Sequence, residues 1–266
     1  MPGINNCWCS IPQSPNQITK LPNHQITKLS NHQITKSPNH QITKSSNYQI
    51  EYICIMTNET AVAEKLLQVQ AVKLSVAQPY TWASGWKSPI YCDNRKVLSF
   101  PYVRDFIKSE LCSVIFEKYP DAEALAGVAT AGIAWGAMAA DQLKLPYMYV
   151  RPKPKEHGMG NQIEGAYEKG QKVLVIEDLI STGKSSLQVC DVLEKAGLQV
   201  IGMVSIFNYG FNEASEAFKN AGISLSSLTN YEILINLAVS KGIVDEGQLN
   251  TLLNWRKNPS TWTGIE

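Results

Sequence analysis

No stretch of about 18 or more apolar residues occurs in the 266-residue chain, so no segment is expected to span a membrane. The start lacks the basic-then-apolar pattern of a secretory signal. Six cysteines are scattered, with only Cys7 and Cys9 close together, so neither zinc spacing nor a disulfide framework is present. Thiols used as small hydrophobes suit a reducing compartment, and the expected location is the cytoplasm. Excess charge is also missing: 24 Lys and Arg stand against 23 Asp and Glu. A broad nucleic-acid surface is therefore not expected. Histidine is scarce, and of four only His157 lies outside a repeated tract.

That tract, residues 1–55, repeats near-copies of SPNHQITK with Gln17, Gln25, Gln33, Gln41 and Gln49 eight residues apart. The period fits neither a helical stripe nor a solenoid unit, and too little apolar surface is present to offset ordering entropy. Residues 1–55 are expected to be disordered, with Met56 beginning the functional protein and 56–266 forming one domain. Removing the tract's four lysines and Glu51 leaves 20 basic against 22 acidic residues.

Beyond it, periodicity predicts helices near Thr60–Val72 and Tyr102–Lys118 with an irregular segment, Gln78–Ser99, between them. Apolar runs and helical stretches then alternate: Ala124–Ala129, Ile133–Gln142, Tyr147–Arg151, Val173–Ile176, Leu187–Ala196 and Val200–Phe207. The tail adds Ile223–Leu225 and helices near Glu232–Val239 and Glu246–Trp255. Such alternation implies an α/β fold with a central, mostly parallel sheet and helices on both faces.

The most informative stretch is VLVIEDLISTGKSS, Val173–Ser186. Four aliphatic residues read as a strand buried on both faces. Glu177 and Asp178 follow at its carboxyl end, where open α/β sheets bind ligands. Carboxylates there accept hydrogen bonds from vicinal hydroxyls or hold a hydrated cation. Ser181–Ser186 would turn backbone amides and hydroxyls toward an anion at a helix start. A ribose 5-phosphate satisfies both halves. An ordinary strand, turn and capped helix is the blander reading. A nucleotide P-loop is the rival, since Gly183, Lys184 and Ser185 match the end of its pattern, but Asp178 stands where that pattern needs glycine.

Three other segments carry chemistry. AGVATAGIAWG, Ala126–Gly136, is a strand-to-helix turn of small residues, suited to an anion or to close helix-sheet packing. RPKPKEHGMGNQIEG, from Arg151, interleaves Lys153, Lys155 and His157 with Pro and Gly. It reads as a mobile basic lid or as a solvated loop. WASGWKSPIYCDNR, Trp82–Arg95, mixes aromatics and cations: it reads as a packed surface loop, which composition alone favours slightly, or as a base site in which Tyr91 suits stacking on a flat anionic ring and Lys87 or Arg95 its carboxylate.

EDLISTGKSS resembles the phosphoribosyl pyrophosphate signature of type I phosphoribosyltransferases, and Thr57–Glu266 is similar to the bacterial orotate phosphoribosyltransferases. The resemblance implies that fold with a small hood, and transfer of ribose 5-phosphate to orotate, with Mg2+, in UMP synthesis. It implies donor contacts from Glu177, Asp178, Leu179, Ile180, Ser181, Thr182, Gly183, Lys184 and Ser185. Thr130, Ala131, Gly132, Arg151, Lys155 and His157 would meet the pyrophosphate. Lys155 and Asp178 are the implied catalytic pair; Ser181, Lys87 and Tyr91 would contact orotate. The SG-x-KSP core that covers orotate is matched by Ser84, Gly85, Lys87, Ser88 and Pro89. A homodimer is implied, with Lys155 and His157 reaching the neighbouring site, and no direct protein ligand for the metal. Pro152 and Ala83 depart from the lysines that some relatives carry. A phosphoribosyltransferase for another base, or a non-catalytic regulator on this fold, are the alternatives.

Overall fold

The computed structural model describes residues 58–82, 84–154 and 161–264. The tract 1–55, Ala83, Lys155 and His157 lie outside the described residues.

The chain enters through helix α1 (Asn58–Gln68) and strand β1 (Val72–Leu74). The short strands β2 (Tyr80–Thr81), β3 (Lys87–Ser88) and β4 (Ile90–Cys92) follow, then a 3-10 turn at Asn94–Ser99. β1 pairs antiparallel with β4, and β2 with β3. The segment expected to be irregular thus contributes three strands, β2, β3 and β4, to a small hood of two antiparallel pairs completed by β1. Its strands of two or three residues are too short for alternation to be seen in the sequence.

Helix α2 (Pro101–Lys118) opens with proline, whose missing N–H has no intrahelical partner at that position anyway. Then come β5 (Ala124–Val128), α3 (Ala131–Leu143), β6 (Tyr147–Val150), β7 (Ile163–Glu164) and β8 (Lys172–Ile180). The chain closes with α4 (Lys184–Lys195), β9 (Gln199–Asn208), α5 (Asn212–Ala221), β10 (Leu225–Asn230), α6 (Tyr231–Ser240) and α7 (Leu249–Lys257). The Asn230 side chain accepts from the Ile233 amide at 3.1 Å and so caps α6.

The main sheet has the order β10-β9-β8-β5-β6-β7, parallel throughout except for β7. Successive side chains of β8 enter opposite cores, as a pleated strand requires. Leu174 and Ile176 pack in the layer with Leu66 of α1, Ile107 of α2, Trp135 of α3 and Trp255 of α7. Val173 and Val175 pack with Val189 and Leu193 of α4 and Phe218 of α5. Helices on both faces explain why this strand is apolar without alternation.

Several boundaries differ from the sequence reading: α1 ends at Gln68, so Val72, expected at the end of that helix, lies in β1, and the strand expected at Ile223–Leu225 is β10, Leu225–Asn230. β8 does not stop at Ile176, because β9 continues to pair with it through Leu179↔Phe207 and Ile180↔Asn208. Glu177 and Asp178 therefore lie within the strand's last stretch. The segment between β6 and β8 is also not one uninterrupted lid: β7 returns antiparallel along β6, pairing Val150 with Ile163 and Tyr149 with Glu164.

Candidate active site

Strand order reverses between β5 and β8: the chain leaves β5 for β6 on one side and later returns to β8 on the other. Loops leaving the carboxyl ends at such a point diverge, and the crevice between them admits a ligand. The turn after β5 passes through Thr130 into Ala131 and Gly132, the first residues of α3; that after β8 passes through Ser181–Gly183 into Lys184 and Ser185, the first residues of α4. A Cβ on Gly132 would stand 2.5 Å from the Ile176 carbonyl oxygen, so only glycine lets α3 start this close to β8. The Ala129–Thr130 peptide is cis. Beside it, the Ala129 amide donates to the Val150 carbonyl at 3.0 Å, which sets Arg151 next to this loop.

Of the two sequence explanations of the small-residue turn, close helix-sheet packing is seen at Gly127 and Gly136. A Cβ at Gly136 would meet the Tyr147 ring at 2.7 Å, one at Gly127 would strike the Tyr147 hydroxyl, and that hydroxyl donates to the Ile133 carbonyl at 2.7 Å. Gly127 and Gly136 therefore serve helix-sheet packing, whereas Gly132 lies in the first turn of α3, at the crevice.

The two acids are not equivalent. Glu177 is buried; its Oε1 accepts from the Asp178 amide at 2.9 Å and its Oε2 from the Ser186 hydroxyl at 3.0 Å. Burial, and then the neighbouring Asp178 charge, push its pKa well above the ordinary carboxylate value. Asp178 is half-buried. Burial raises its pKa as well, while its hydrogen bond to Glu177 and the positive charge of Arg95 oppose the shift. Asp178 is thus the carboxylate better placed to receive a ligand's hydroxyls.

Ser181 and Thr182 are half-buried, Lys184 and Ser185 exposed. Gly183 starts α4 with φ +75°, and its Cβ position lies 2.7 Å from the Phe218 ring, so both conformation and space require glycine. The first amides of α4 have no partner within the helix and favour an anion. Ile180 contributes only backbone: its side chain is in the core, and its carbonyl accepts from the Tyr209 amide at 3.0 Å.

Across from this loop the hood forms a cavity of about 340 Å³ lined by Thr81, Trp82, Tyr91, Cys92, Leu179, Ser181 and Tyr209. Ser181 and Tyr91, expected from sequence, meet here. Lys87 is not in the wall, but its ammonium donates to the Thr81 hydroxyl at 2.8 Å. Arg95, the other candidate cation, pairs with Asp93 at 2.7 Å. Trp82 and Tyr209 were not anticipated. Trp82 donates to the Ile90 carbonyl at 3.2 Å, and its ring lies 5.0 Å from that of Tyr209 and 5.7 Å from that of Trp255. The one signal for Tyr209 was its place just past the carboxyl end of a strand. A larger recess of about 470 Å³ on α7 and the following turn is lined by Thr251, Asn254, Asn258 and Trp262 among others and has no ionisable side chain among the described residues.

Arg151 and Gln162 are tied together: Arg151 pairs with Glu164 at 3.6 Å, its amide donates to the Gln162 carbonyl at 2.9 Å, and the Gln162 side chain returns a bond to the Arg151 carbonyl at 2.7 Å.

Residues 105–233 match the phosphoribosyl transferase domain family. The orotate phosphoribosyltransferase of Cytophaga hutchinsonii is 55% identical over 201 residues, 76% of this chain and 96% of that protein. That of Bacteroides thetaiotaomicron is 52% identical over 204 residues, 77% of this chain and 96% of that protein. The crystal structure of orotate phosphoribosyltransferase from Aeropyrum pernix superposes with a TM-score of 0.60 at 30% identity, covering 69% of this chain and 99% of that one. With more than half of the residues identical across nearly the full length of the first two of these relatives, the chain belongs to the orotate phosphoribosyltransferase family.

Proposed function

We propose that the protein transfers the ribose 5-phosphate group of phosphoribosyl pyrophosphate to orotate, giving orotidine 5′-monophosphate and pyrophosphate on the route to UMP. One observation carries this reading: the Thr130–Gly132 loop, the Glu177–Asp178 pair and the Ser181–Ser185 loop converge at a strand-order switch facing an aromatic cavity sized for a flat ring.

In the transfer the bond from the anomeric carbon to pyrophosphate breaks while a ring nitrogen of orotate bonds to that carbon and loses its proton. Positive charge grows on the ribose, so catalysis rests on charges placed beforehand. Asp178 accepts from the ribose hydroxyls, and Glu177, tied to Ser186, braces it. Amides of Ser181–Ser185 hold the 5′-phosphate, which keeps the reacting carbon in line. Thr130–Gly132, Arg151, Lys155 and His157 receive the pyrophosphate. Tyr91, Ser181 and, from the rim, Lys87 take the orotate.

Magnesium is part of this reading. Glu177 is already satisfied, and no cluster of three metal-ligating side chains occurs among the described residues. The donor set suits an ion held mainly by substrate oxygens and water, with Asp178 near it. When bound, the ion supplies charge neutralisation at the pyrophosphate. We also place the working unit as a homodimer with Lys155 and His157 shared between sites, and its location in the cytoplasm, which agrees with the free thiols of Cys92, Cys112 and Cys190.

Loss of orotate absorbance with phosphoribosyl pyrophosphate and magnesium, beside parallel samples of adenine, hypoxanthine and uracil, tests the reading. Conversion of orotate alone is expected. Conversion of another base instead would keep the donor site and discard the base site, and no turnover of any base would discard the enzyme reading.

A further inference from the structure

Asn94 is fully buried, at 0% exposure, in a region whose neighbours Asp93 and Arg95 are largely polar surface. Local structure turns it inward. The Asp93 amide donates to the Ala71 carbonyl at 2.8 Å, continuing the β1–β4 pairing, and the Asp93 side chain caps the following 3-10 turn by accepting from the Arg95 amide at 3.2 Å. Asn94, first residue of that turn, then points at the main sheet. Its Nδ2 donates to the Asp178 carbonyl at 2.7 Å, and its Oδ1 faces the Cys92 thiol at 3.5 Å. A carbonyl can only accept, so the amide's orientation is fixed by its partner.

The Asp178 carbonyl has need of that donor. β5 pairs with β8 only as far as Gly127↔Ile176, and the chain then turns away into the Thr130 loop. Beyond Ile176 this edge of β8 lacks its neighbour, and a carbonyl partly shielded from water is unfavourable without a partner. Asn94 takes the place of the missing strand at the residue whose carboxylate matters. On its other side it bonds Cys92, which lines the base cavity.

We infer that Asn94 is a positioning residue: it holds the main chain at Asp178 so that the carboxylate meets the ribose hydroxyls, and it ties the hood to the donor site. This rests on the proposed role of Asp178.

The test uses the full chain with Asn94→Ala, Asp178→Asn and the double variant, measured by donor-varied steady-state kinetics and by equilibrium titration with ribose 5-phosphate and with inorganic phosphate. Asn94→Ala is expected to lower kcat/KM for the donor by about ten-fold and to weaken ribose 5-phosphate, leaving inorganic phosphate, which needs only the α4 amides, unchanged. Because Asn94 acts through Asp178, the double variant is expected to be no worse than Asp178→Asn. Equal weakening of both ligands, losses that multiply in the double variant, or normal kinetics of Asn94→Ala beside an impaired Asp178→Asn would each overturn the inference while leaving the diol role of Asp178 standing. Full affinity of Asp178→Asn for ribose 5-phosphate would remove that role and this inference with it. Should Asn94→Ala fail to fold, Asn94→Ser, whose hydroxyl is too short to span to Asp178, carries the same comparisons.

Discussion

Glu177 is buried, and its two oxygens are spent on a hydroxyl and an amide that do not neutralise its charge. Its raised pKa has a consequence for stability. Below the ordinary value of 4.5 the group is protonated in both folded and unfolded chains and carries no penalty. As pH rises through and above that value the unfolded chain ionises first, so stability is lost until the folded value is passed. Glu177→Gln keeps an acceptor for the Asp178 amide and removes the charge. Thermal melts are expected to show the variant more stable by roughly 2–4 °C near neutral pH, with the gain vanishing in acid. A wild-type protein more stable at neutral pH would show that the ionised carboxylate is required by its surroundings. Gly132 shows the opposite kind of constraint, a residue chosen for what it lacks, since any side chain there would press on β8.

Elements differ in how plainly the chain announces them. Val173–Ile176 was legible because burial on both faces forces a continuous apolar run, and the turn at Ser181–Ser185 because small and hydroxylated residues follow a strand. The extension of β8 through two acids was not legible, since the reason for it is a partner strand, β9, and not the residues themselves. β7 was hidden by being two residues long. The cavity wall was half visible: Tyr91 stood inside a suggestive loop, whereas Tyr209 comes from a distant segment that only folding brings beside Trp82. At this scale the lid makes a prediction. From Arg151 to Gln162, Arg151 and Lys153 are each followed by proline, which trypsin does not cleave, so Lys155–Glu156 is the one cleavable bond. Phosphoribosyl pyrophosphate with magnesium is expected to slow the cut at Lys155 by roughly ten-fold or more as the lid closes. An unchanged rate, followed by mass spectrometry of the fragment ending at Lys155, would leave the segment as a solvated loop.

For the whole molecule, a lid shared between subunits predicts complementation. Lys155→Ala and Asp178→Asn are each expected to be nearly inactive alone. If each site takes its lid from one subunit and its acids from the other, random mixed dimers gather both defects in one site and leave the second intact. Subunit exchange between the two is then expected to restore roughly a quarter of the wild-type rate. No recovery, with exchange verified by native mass spectrometry, would assign each lid to its own subunit's site. Both positions lie in the domain that matches the family across nearly the full length of its relatives.

Trp82 belongs at once to the cavity wall and to a cluster with Trp86, Tyr209, Phe211 and Trp255. A base bound in the cavity as proposed would come to rest against an indole packed on other aromatic rings. The protein carries its own optical indicator: orotate is expected to quench intrinsic emission on binding, before any bond is made, so that occupancy of the base site can be followed separately from turnover in every variant described above.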